Sequence, residues 1–185
     1  MSDVILTRPG GLTAGHKDAQ GIAREIGHSE IVTLASTITR PDNATAAVAG
    51  DLMPGVFEFD FGAAGLPKGI IISARLVRQR ATTSAERFRA YIMDDAPAQA
   101  TLTDNTPFPQ AWADAEAVCG IVDFTSPIAT VVADSGASLH YEGVRLGSDP
   151  IAFGNNGLVR VALITLDGFT PTALSGWTLR LAAGA

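Results

Sequence analysis

Glu58 and Asp60 are the first residues in this sequence whose type and spacing could do chemistry. In an extended strand, two positions separated by one share a face, so their carboxylates could act as an acid/base pair or hold calcium with further oxygen ligands. An acidic pair at this spacing is also the ordinary wet side of a strand. Asp94 and Asp95 are similarly double in meaning, and no D-x-D-x-D-G loop accompanies them. His16, His28 and His140 are scattered and lack the H-x-H or H-E-x-x-H spacing that presents two imidazoles to zinc. No serine occupies a G-x-S-x-G elbow. Gly62 to Gly69 lacks the G-K-[ST] ending of a phosphate loop, and a strand pattern rather than a helix follows it. Cys119 is the single cysteine and sits among apolar strand residues, where a thiol is buried and inert. These residues give no catalytic set, no metal site and no cofactor site, and the expectation is a protein that is not an enzyme.

The elements that would hold such residues are strands. From Glu30 onward apolar residues recur at every second position, the period of a strand with one face buried. Val56 to Phe61 points three phenylalanines one way and two carboxylates the other. Arg87 to Ile92 turns Phe88, Ala90 and Ile92 inward, and Trp177 to Leu181 repeats the pattern. Ile70 to Val77, Ala117 to Phe124 and Leu158 to Leu166 are more continuously apolar and are expected in the middle of sheets. Turn-forming clusters separate the runs: Arg40-Pro41-Asp42-Asn43, Gly65 to Gly69, Thr103 to Pro107, Ser148-Asp149-Pro150 and Asp167-Gly168. Roughly six to nine strands so spaced predict an all-β, antiparallel sandwich of jelly-roll or Greek-key type. The one internal helix expected is a turn or two around Pro109 to Glu116.

Residues 1–29 differ, with Gly10, Gly11, Gly15, Gly21 and Gly27 and a short helix-like pattern near Asp18 to Ile26. They read either as an extended N-terminal arm ordered by another chain or as a frayed tail. The expected division is therefore an arm over 1–29 and a sandwich over 30–185.

With a net charge of −6 and a pI near 4.9, the chain has no general attraction for nucleic acid. Only Lys17 and Lys68 are lysines, and Arg75, Arg78, Arg80, Arg87 and Arg89 crowd into a short stretch. With Arg8, Lys17 and Arg24 of the arm they are the candidate partner-contacting residues, the alternative being a solvated strand face. Tyr91, Trp112 and Tyr141 are aromatics that could be exposed, but they form no evident row for stacking sugars or bases. One cysteine allows no internal disulfide, and the start of the chain has neither the basic nor the apolar region of a secretion signal. No run reaches the ~20 apolar residues that cross a bilayer. Asn43-Ala44-Thr45, a glycosylation acceptor in a secreted protein, reads as a chance match.

An ordered set of segments stands out: Ile38 to Asp42 with Ala49-Gly50-Asp51, Gly69 to Ala74, Phe88 to Ile92, Thr103 to Phe108, Cys119 to Phe124 and Trp177 to Leu181. Together they resemble a family of small virion proteins of tailed bacteriophages, associated with the head. The resemblance spans about residues 30–185 and leaves residues 1–29 outside. It implies a capsid decoration or cement protein with a jelly-roll or Ig-like sandwich. Such a protein assembles in the host cytoplasm, sits on the outer capsid surface and binds the major capsid protein as a homo-oligomer, with trimers as one form. It implies neither a nucleic-acid nor a membrane partner. The other reading of a sandwich without a catalytic set is a receptor- or glycan-binding protein of a tail tip or fibre. A glycan hydrolase would need two acids among Glu58, Asp60, Asp94 and Asp95 facing one cleft.

Overall fold

A computed structural model describes residues 4–8, 11–17, 23–25, 31–41, 45–80, 86–94, 104, 107–108, 117–133 and 136–185; side chains of 1–30, Arg80 and 132–137 lie outside the description. The chain divides into two compact units, Met1–Glu30 and Ile31–Ala185. In the first, β1 (Val4–Arg8), β2 (Gly11–Lys17) and β3 (Ala23–Glu25) form an antiparallel sheet in the order β1-β2-β3. The helix-like pattern near Asp18 to Ile26 is thus overruled at Ala23–Glu25. Gly21 weakens a helix there, and a strand gains backbone hydrogen bonds from a neighbour already extended.

The larger unit packs two sheets. One runs β4 (Val32–Thr39), β14 (Gly176–Gly184), β6 (Gly69–Arg80), β10 (Gly136–Glu142), β9 (Pro127–Ala133), with β12 (Ile151–Phe153) also on β6. The other runs β11 (Val144–Leu146), β8 (Val118–Phe124), β7 (Phe88–Met93), β13 (Leu158–Thr165), β5 (Leu52–Asp60). All pairings are antiparallel, giving the all-β sandwich its sequence predicts. The three continuously apolar runs, in β6, β8 and β13, each lie between two neighbours. The strands outnumber the expected six to nine because β11 and β12 are only three residues long. Such short pieces show no measurable period. The helix expected around Pro109 to Glu116 lies outside the described residues.

The core follows the alternation. Phe57, Phe59 and Phe61 from β5 and its end, and Phe88, Ala90 and Ile92 from β7, meet Leu76, Leu139, Trp177, Leu179 and Leu181 from the facing sheet. Phe88 is at its centre, with rings of Trp177 at 5.2 Å, Tyr141 at 5.8 Å and Phe169 at 6.0 Å, all edge-on, the favoured arrangement for aromatic quadrupoles. A second, smaller cluster lies on the outer side of the β13-containing sheet. There Leu52, Met93 and Ala162 are covered by Tyr91, Phe108, Ala117 and Val118. At Gly120 a methyl group would collide with Ile151, so the missing Cβ is what lets β12 close against β8.

Candidate partner-binding surface

The arginines clustered in sequence face different ways where their side chains are described. Arg75 and Arg78 lie an odd number of residues apart on β6, so they face opposite sides of the sheet. Arg75 is exposed; Arg78 is buried to 1% with the core residues. Arg87 and Arg89 bracket the inward Phe88 and lie on the outer side of the other sheet. The side chain of Arg80 is outside the described residues, as are those of Arg8, Lys17 and Arg24, whose backbones lie on β1, β2 and β3.

Arg78 is therefore a correction to the surface reading: it is a core residue. Its guanidinium lies 5.0 Å from the ring centroids of Phe88 and Phe169 and 5.2 Å from that of Trp177, and it pairs with buried Glu86. A charge can remain in such a place because the ring faces and the carboxylate replace the lost water. No strand period reveals this, because arginine at an inward position breaks the apolar pattern that marks the core.

Other arginines are neutralised within the chain. Arg89 forms a forked pair with Asp123, its cross-strand neighbour, through Nε to Oδ1 at 2.7 Å and Nη2 to Oδ2 at 2.9 Å. That hydrogen-bonded carboxylate, more than any other influence, raises the Arg89 pKa against the opposing effect of burial. Arg87 binds Asp167 at 2.7 Å on the surface, which raises the arginine and holds the carboxyl below its ordinary range; the Arg87 backbone N–H donates to the same carboxylate at 2.8 Å. Arg160 binds Glu58 at 2.8 Å. Glu58 is thereby tied to its cross-strand partner, while Asp60 accepts from the Ala63 N–H at 2.8 Å. The candidate acid pair thus consists of one ion-paired carboxylate and one loop cap.

Sequence reasoning singled out neither member of the buried pair Arg40 and Asp104. Arg40 Nε donates to Oδ1 at 2.9 Å and Nη2 to Oδ2 at 2.5 Å, with the side chains 0% and 5% exposed. Nearby, the Phe108 N–H donates to Gly50 O at 3.0 Å, and Asp51 bridges Pro107. A signal was present: Arg40 ends a strand before a proline, and Asp104 opens an Asp-Asn turn.

Tyr141 is buried rather than exposed, and Tyr91 stacks on Phe108 at 5.4 Å; Trp112 is outside the described residues, as are His16, His28 and Asp95. Cys119 is half-buried, donates to Ile92 O at 3.4 Å, and has its pKa pushed up to about 11, chiefly by burial. Among the described residues no group of three or more His, Cys, Asp or Glu stands close enough to hold a metal ion. Two depressions open on the described surface. One of about 320 Å³ is lined by β6 residues Ile71 to Ala74 with Val122, Gly143, Arg145 and Ile151. The other, of about 210 Å³, is lined by Thr33, Ser73, Arg75, Arg180, Leu181 and Ala182. Neither is lined by Glu58, Asp60 or Asp94.

No family model matches the chain, and no curated protein matches it. Among solved structures it is similar to a chain of a structure of Nora virus, at 12% identity and a TM-score of 0.27, over 100% of this chain and 72% of that one. It is also similar to a chain of the native virion of Kashmir bee virus at neutral pH, at 12% identity and a TM-score of 0.27, over 98% of this chain and 88% of that one. At TM-scores this low, neither likeness bears on what this chain does.

Proposed function

We propose that the chain is a non-enzymatic structural protein of a virion, of the tailed-phage head decoration or cement type. In this reading it sits on the outer capsid surface, binds the major capsid protein and ties neighbouring subunits together. The observation that carries the reading is where the family-like segments fall. Arg40 of Ile38–Asp42 pairs with Asp104 of Thr103–Phe108, Phe108 bonds back to Gly50 of Ala49–Asp51, and Arg89 of Phe88–Ile92 pairs with Asp123 of Cys119–Phe124. The segments that carry the resemblance are thus tied to one another by ion pairs and a backbone hydrogen bond, as suits a protein that works by being rigid and by docking.

Two further features support docking. The edge strands of the β6-containing sheet, Val32–Thr39 and Pro127–Ala133, contain no charged residue, and β9 exposes Ile128 and Val131 by 59% and 54%. Edge strands of solitary proteins are commonly guarded by charge, whereas an unguarded edge suits association with another chain. Several copies holding a shell together gain from multivalency, since each first contact raises the effective concentration for the next.

The test is copy number in purified particles, by gel densitometry against the major capsid protein. Hundreds of copies over the head are expected. A handful confined to the tail would replace this reading with receptor or glycan adsorption, and absence from particles would end it.

A further inference from the structure

Among the described residues, Arg40, Arg78, Arg87, Arg89 and Arg160 each close on a carboxylate of the same chain. Arg75 and Arg180 close on none of the described residues, although the chain as a whole is acidic. These two exposed residues are not scattered: they are direct cross-strand neighbours on β6 and β14. Directly opposed side chains on one sheet face stand about 5 Å apart at Cβ, and like charges so placed are destabilising. The cost falls when an anion lies between them, because a guanidinium fork pairs most strongly with a carboxylate or a phosphate.

The surroundings fit an anion presented by a surface. The depression beside the pair also has Ser73 and Thr33 on its lining, both exposed and one register step along from the arginines. Around it the outer face bears small or uncharged side chains: Ala35, Thr37, Thr178, Ala182, Val77 and Gln79. The outer face of the other sheet, by contrast, has its arginines satisfied by Glu58 and Asp123. Glu142 stands across β6 from Arg75 in register, yet forms no ion pair with it. A phosphate backbone tracking across the face would meet this carboxylate, whereas a compact acidic side chain seated on the β14 side would not.

We propose that Arg75 and Arg180, with the hydroxyls of Ser73 and Thr33, form a seat for carboxylate side chains of an acidic protein surface that docks on the outer face of this sheet. The partner's nature as a shell protein rests on the function proposed above. The seat itself does not, and it can be tested without a particle.

The experiment titrates the full chain with a blocked hexaglutamate peptide at low salt while following the arginine Nε–H signals by NMR, with inorganic phosphate in a parallel titration. Saturable shifts at Arg75 and Arg180 are expected, with affinity at least roughly tenfold weaker in Arg75→Ala or Arg180→Ala. Arg145→Ala, which removes an exposed arginine bound only to the Ser148 carbonyl among the described residues, should leave affinity unchanged. A response without saturation, or one equally strong at Arg145, overturns the seat. Tighter binding of phosphate than of the peptide overturns the protein partner. Unchanged thermal unfolding of the variants keeps a lost signal from being a lost fold.

Discussion

Arg40 and Asp104 meet as a buried fork, two hydrogen bonds from one guanidinium to one carboxylate joining residues 64 positions apart. The pair ties the end of β4 to a turn that belongs to neither sheet. Removing one partner takes the forked contact from the other's charge in a place shielded from water, a loss of about 3–5 kcal/mol for buried pairs. Asp104→Ala is therefore expected to lower the denaturant midpoint strongly. Replacing both residues by apolar ones should recover much of the loss. A single variant as stable as the parent would show that the pair is not desolvated.

Arg78 extends the same logic to the core. Glu86→Gln keeps the shape and removes the charge that balances Arg78, so it is expected to destabilise the fold by several kcal/mol. Arg78→Met, which retains an unbranched side chain for the rings of Phe88, Phe169 and Trp177 but removes the guanidinium that pairs with Glu86, should also destabilise. The double variant should be more stable than either, as measured by chemical unfolding in a double-mutant cycle.

Asp167 gives a pH dependence of known sign. Arg87 holds its carboxyl below the ordinary range, so the folded state binds fewer protons there than the unfolded chain does. Its contribution is present above the unfolded carboxyl value of about 4 and is lost as pH falls through the depressed folded value. Asp167→Asn should accordingly flatten stability against pH in the acidic limb and change little between pH 6 and 8. An acid limb unchanged by the substitution would remove the pair from the account. The pair is exposed, so the effect is small.

Cys119 offers a kinetic readout. With its pKa pushed up to about 11, the folded thiol is far less ionised near pH 8 than a free thiol with a pKa of about 8.5. Alkylation is expected to be ~100-fold slower in the folded protein and to reach the free-thiol rate in denaturant. Because burial raises this pKa, the same group weakens the fold as pH climbs from the unfolded thiol value towards the folded one. Equal rates in the two states would place the thiol in water.

The sandwich was legible because its strands obey a period of two over long stretches: Phe57, Phe59 and Phe61 could only be core together, and Trp177, Leu179 and Leu181 likewise. What the period could not show is which charged residues face inward. Arg78 occupies a core position that the pattern assigns to an apolar residue, and Tyr141, an aromatic that could equally stand in water, is buried. The short strands β11 and β12 escape for the opposite reason: three residues carry too little alternation to be read. The candidate surface was half legible. Arg75 was named from its company in sequence, whereas Arg180 lies more than a hundred positions away and becomes its neighbour only through the register of β14 on β6.

That register has a consequence for how the protein is made. β14 is an interior strand, holding β4 on one side and β6 on the other, and it leaves the ribosome after both. While translation proceeds, β4 and β6 wait without the element that joins them, and Trp177, Leu179 and Leu181 are missing from the core. Closure is therefore a late event dominated by distant contacts, the kind that folds slowly and leaves strand edges open to association in the meantime. Low growth temperature, which weakens apolar association during that interval, should raise the yield of folded protein.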